Sequence, residues 1–74
     1  MKIVIQAPMK GEEIRALLDG FTGDGGQFTF VEKKGISLVF DVQGMDGVAA
    51  CAVAKREIKA ADWGKVLYFS VQTQ

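Results

Sequence analysis

The alternation of apolar and polar positions changes period repeatedly along this chain, and each change predicts an element boundary. Ile3, Val4 and Ile5 form a β-branched run closed by Ala7 and Pro8. That is the pattern of a short strand with apolar residues on both faces, ended by a residue that cannot donate to a ladder. From residue 10 to 21 the period becomes helical, with Ile14, Leu17, Leu18 and Phe21 at i, i+3, i+4 and i+7. Glu12 and Glu13 suit the positive end of the helix dipole, and Gly20 and Gly23 mark the stop. Residues 22–26 (TGDGG) read as a flexible loop.

Residues 27–32 and 36–43 then alternate with a period of two, and Lys33, Lys34 and Gly35 stand between them, which predicts a hairpin. Phe28 and Phe30 share one face of its first strand, with Thr29 and Val31 opposite. Ile36, Leu38, Phe40 and Val42 share one face of its second, with Ser37, Val39 and Asp41 opposite. Asp46 is placed to cap an alanine-rich helix over 47–61. At about 100° per residue its apolar side reads as Val48, Cys51, Ala54, Ile58 and Ala61, with Ala49, Val53 and Arg56 on the other side. Lys55, Arg56 and Lys59 suit the negative end of its dipole. After Asp62, Trp63 and Gly64 a last strand is expected over 65–72, with Leu67, Phe69 and Val71 against Val66, Tyr68 and Ser70.

The element order β-α-β-β-α-β predicts a single α+β domain over residues 1–74, of the split β-α-β or ferredoxin-like kind. Right-handed crossovers give a four-stranded antiparallel sheet of order 4-1-3-2 with both helices on one face. The uncovered face then carries Val4, Gln6, Val31, Ser37, Val39, Tyr68 and Ser70.

Composition narrows what such a domain can do. The 74 residues bury only about 60% of the surface that the unfolded chain exposes, so stability is thin. Lys+Arg and Asp+Glu both number 9, which removes any global attraction to nucleic acid or anionic membrane. It also weakens the charge repulsion that keeps copies apart, so a homodimer is an expected state. The lone Cys51 forms no internal disulfide, and neither a secretory h-region nor a long apolar span is present in this sequence; the expected location is cytoplasmic.

Candidate chemistry is sparse. The chain contains no histidine, the commonest general base and metal ligand, and Cys51 reads as a buried structural thiol. Asp24 alone does not make a calcium loop. Metal chaperones of this fold carry Cys-x-x-Cys where this chain has Ala7, Pro8, Met9 and Lys10, and acylphosphatases carry a sheet asparagine that it lacks. No enzyme activity, cofactor or metal is therefore expected. Residues 34–39 (KGISLV) are similar to the third-strand motif of RNA-recognition domains, but Ile36 and Leu38 bring no stacking ring, so nucleic acid is not an expected partner.

Two surfaces remain. The topology gathers Lys10, Lys33, Lys34, Lys59 and Lys65 at one end, together with the helix start at Gly11; a small anion would bind there through Lys10, Gly11, Lys33, Lys34 and Lys65. The uncovered sheet face offers Val4, Val31, Val39 and Tyr68 for association with a second copy or another protein. Trp63 either closes the core or anchors a partner. Association through the face is the leading expectation, and anion, small-ligand or nucleic-acid binding at the basic end is the alternative.

Overall fold

The computed structural model describes residues 1–23 and 25–74, so Asp24 lies outside the described residues. In chain order it contains β1 (Lys2–Gln6), α1 (Gly11–Leu18), β2 (Thr22–Gly23), β3 (Gly26–Lys34), β4 (Ser37–Gln43), α2 (Gly47–Ala60), a 3-10 turn (Asp62–Gly64) and β5 (Ser70–Thr73). The strands form one sheet in the order β2-β3-β4-β1-β5, and every neighbouring pair is antiparallel. The described residues are thus α+β, with two α-helices and five strands where four strands were expected. The extra strand comes from the glycine-rich segment, which folds back so that Thr22 and Gly23 pair with Gln27 and Gly26.

One face of the sheet presents Ile3, Ile5, Phe28, Leu38, Phe40, Val42 and Val71, and the helices set Ile14, Leu18, Ala50, Val53, Ala54 and Ile58 against it. Phe21, Phe30, Trp63, Leu67 and Phe69 are half-buried around this cluster. Phe21 meets Phe28 edge-on with ring centroids 5.9 Å apart, Phe30 meets Phe40 at 5.6 Å, and the Arg15 guanidinium lies 4.2 Å from the centre of the Phe30 ring.

Four local expectations are corrected. Helix α1 stops at Leu18 rather than at residue 21, because Asp19 is extended and Gly20 takes a φ of 82°. The left-handed residue just past a helix end is the usual glycine stop. Strand β3 contains a bulge between Phe30 and Glu32, after which Glu32 faces Val39 and Lys33 faces Leu38. The extra residue reverses the alternation. Lys33 therefore turns to the helix side, and the hairpin closes through Gly35 and Ile36 because Lys34 pairs with Ser37. Helix α2 buries Ala50, Val53, Ala54 and Ile58, whereas Val48, assigned to its apolar side, is 84% exposed. Finally, β5 begins only at Ser70. Its partner β1 ends at Gln6, which faces Ser70, so residues 65–69 have no β1 ladder to join.

Candidate interaction surfaces

No buried side chain among the described residues is polar or charged, and none of their His, Cys, Asp and Glu residues form a group of three that could hold a metal ion. Whatever chemistry the described residues offer is on the surface. None of the described helices is long and apolar enough to cross a membrane.

At the basic end, most lysines already have a carboxylate nearby. Lys10 Nζ lies 3.9 Å from Glu13, Lys34 3.8 Å from Glu32, and Lys65 3.8 Å from Asp62. Such exposed pairs contribute little to stability, but they cancel much of the field a free anion would feel. Lys33 differs. The β3 bulge aims it at the start of α1, where a Cβ added to Gly11 would come within 3.3 Å of the Lys33 Nζ. No side chain caps that helix start, and Lys10, its N-cap residue, is left-handed with a φ of 66°. Glu12 and Glu13 stand in the first turn beside this cation, so Lys33 does not face a bare positive helix end, and a small anion would compete with them for it. The structure thus brings Lys33 and Gly11 together, while Lys10, Lys34 and Lys65 sit in local ion pairs around them.

The uncovered sheet face is less apolar than expected. Val4 faces Val39 across β1 and β4, and Val39 is only 5% exposed. Around this pair stand Lys2, Gln6, Ser37, Asp41, Glu32 and Gln72 on neighbouring strands. Val31 lies in the bulge, Tyr68 precedes β5, and Trp63 is half-buried against the core, so these three do not extend a continuous band across the face.

The most exposed apolar residues lie outside the strands. Val66 (92%), Tyr68 (86%) and Val48 (84%) are the most exposed large hydrophobic side chains among the described residues. Val66 and Tyr68 lead directly into β5, and Val48 lines an open groove with Gly47, Cys51, Ala52, Lys55 and Thr73, between α2 and the end of β5. Cys51 is half-buried at the edge of the core rather than inside it. Strand β5 is also an edge of the sheet, with no described strand on its outer side. The sequence pattern conceals this surface because it turns Val48 to the apolar side of α2. The run Ala50, Val53, Ala54 and Ile58 was the signal that could have corrected it.

No protein-family model, curated protein or solved structure matches this chain.

Proposed function

We propose that the protein is a small non-enzymatic association domain of ferredoxin-like topology, and that its principal partner is a second copy of itself. The observation that carries this reading is the open edge at β5, which has no described strand on its outer side and has the exposed Val48 beside its end at Thr73. Burying a valine side chain contributes roughly 1.5 kcal/mol or more, so a symmetric contact that covers such residues twice has a substantial apolar drive. The zero net charge leaves little global repulsion to oppose it. Sedimentation equilibrium across the micromolar range tests the reading: a reversible monomer–dimer equilibrium is expected, and a strict monomer at the highest concentration rejects it.

A second reading rests on Lys33. We propose it as weak binding of phosphate or a carboxylate between the Lys33 ammonium and the uncapped start of α1, supported by the closeness of the Lys33 Nζ to Gly11. Phosphate titration followed by amide shifts tests it. Movement confined to Gly11, Glu12 and Lys33, weakening with salt, is expected. Unmoved amides at those positions end it.

A further inference from the structure

Resting on the self-association reading, we infer that two copies join through β5 in antiparallel register about a two-fold axis at Gln72, forming one continuous sheet, with Val48 of each copy at the edge of the other's groove.

The backbone parity of β5 sets the register. The Gln74 amide donates to the Lys2 carbonyl, and β1 and β5 pair Ile3 with Thr73, Val4 with Gln72 and Ile5 with Val71. In an antiparallel pair, bonded and non-bonded positions alternate. Gln72 and Ser70 therefore turn their backbone groups inward to β1, and Val71 and Thr73 turn theirs outward. An axis through Gln72 sets Val71 opposite Thr73 of the second copy, and Thr73 opposite its Val71. Both pairs exchange an N–H and a C=O in each direction, so the edge is complementary to itself.

The opposite edge of the sheet is protected in the ways that blunt strand pairing. Strand β2 is two residues long, and the bulge interrupts β3 at Val31. Segment 19–21 covers β3 beyond β2: Gly20 N–H donates to the Phe28 carbonyl, Phe28 N–H donates to the Phe21 carbonyl, and Phe30 N–H donates to Asp19 Oδ1. Strand β5 has none of these devices: Ser70, Val71, Gln72 and Thr73 carry no charge, no proline and no bulge.

The helix layer agrees with the same axis. A Cβ on Gly47 would collide with the Thr73 side chain, so the start of α2 lies beside the end of β5. A strand rises about 3.4 Å per residue and a helix about 1.5 Å, so the level of Gln72 corresponds to about two helix residues past Gly47, close to Ala49. Rotation about that level runs the two α2 helices antiparallel. It brings the exposed Val48 to the level of Ala50 and Cys51 of the other copy, at the edge of its groove. It also carries Lys55 toward the second copy's Asp46, an exposed residue one of whose carboxylate oxygens caps α2 through the Ala49 amide. Charge complementarity thus favours a second copy on this edge over an arbitrary strand.

Two variants of the full chain test the register. Gln72 would face itself across the axis at a non-bonded position, where Cα atoms lie about 4.5 Å apart, within the range a disulfide spans. In a Cys51→Ala background, Gln72→Cys is expected to give a near-complete disulfide dimer under mild oxidation, and Ser70→Cys very little. Thr73→Pro removes an N–H that turns outward, away from β1, so it should raise the dimer dissociation constant at least tenfold while leaving the monomer's circular dichroism unchanged. Efficient Gln72→Cys cross-linking together with weakened Thr73→Pro association supports the inference. A wild-type dimer that survives Thr73→Pro and fails to cross-link at Gln72 overturns the β5 register but not self-association. A wild-type chain that never dimerises overturns both.

Discussion

Two glycines show how differently a single methyl group acts in this chain. Gly20 is left-handed, but a Cβ there would meet nothing within 4 Å. Gly20→Ala is therefore charged only for its backbone conformation, and urea unfolding should find it about 1 kcal/mol less stable than wild type. Gly64 is the reverse case: its φ is not in the left-handed region, but a Cβ there would fall onto the Ile58 carbonyl near the end of α2. Gly64→Ala must push the 3-10 turn off the helix, and a loss of about 2 kcal/mol or more is expected in the same experiment. A loss of under about 0.5 kcal/mol would show that the turn shifts freely. Lys33 gives the residue-scale test of the basic end. Lys33→Glu would set a third carboxylate beside Glu12 and Glu13, so the gain from the helix dipole is offset and stability should stay within about 0.5 kcal/mol of wild type. If phosphate binds there, it raises the unfolding midpoint of the wild type and not that of Lys33→Glu; equal responses of both proteins would remove the anion reading.

At the scale of elements, α2 supplies the clearest test of how it is rotated. Val53 is 6% exposed and Val48 is 84% exposed. Val53→Ala should cost about 2 kcal/mol through lost burial and the space left behind, while Val48→Ala should stay within about 0.5 kcal/mol for the monomer. The reverse order of effects would mean the helix is rotated as its sequence first suggests. That rotation was hard to read because alanine at positions 49, 50, 52 and 54 makes nearly every side of the helix weakly apolar. The existence of α2 was legible, since Asp46 accepts a 2.8 Å hydrogen bond from the Ala49 amide as its position predicts. The β3–β4 hairpin was equally legible from alternation, but its bulge was not: Val31 is an ordinary strand residue, and an extra residue in a ladder is visible only once the partner strand is in place. In residues 65–69 the alternation survives, with Leu67 and Phe69 half-buried and Val66 and Tyr68 exposed, yet no strand forms because β1 stops short. The candidate surface depended on these misread details. The pattern of α2 puts Val48 on its apolar side, and Lys33 approaches Gly11 only because the bulge turns Lys33 over.

The whole molecule sets the character of the proposed dimer. Its radius of gyration is 10.8 Å, against about 11 Å for a folded chain of this length. The main core is built from β1, α1, β3, β4, α2 and β5 of one copy, and Val39 on the other face is only 5% exposed. The monomer thus completes its own interior, and association adds to a folded unit rather than creating one. Dilution should lower the sedimentation coefficient while the far-ultraviolet circular dichroism stays constant. The urea midpoint should nevertheless depend on concentration, because the dimer binds the native state and not the unfolded chain. Above the dissociation constant, each tenfold rise in chain concentration should add about 1.4 kcal/mol per dimer to the unfolding free energy. Below it, the midpoint should become flat at the value of the isolated monomer. Thr73→Pro should show that flat value over a wider concentration range, because it weakens pairing without touching the core. Loss of circular dichroism on dilution of the wild type would contradict this account, since it would mean that the interior is completed only when the second copy is present.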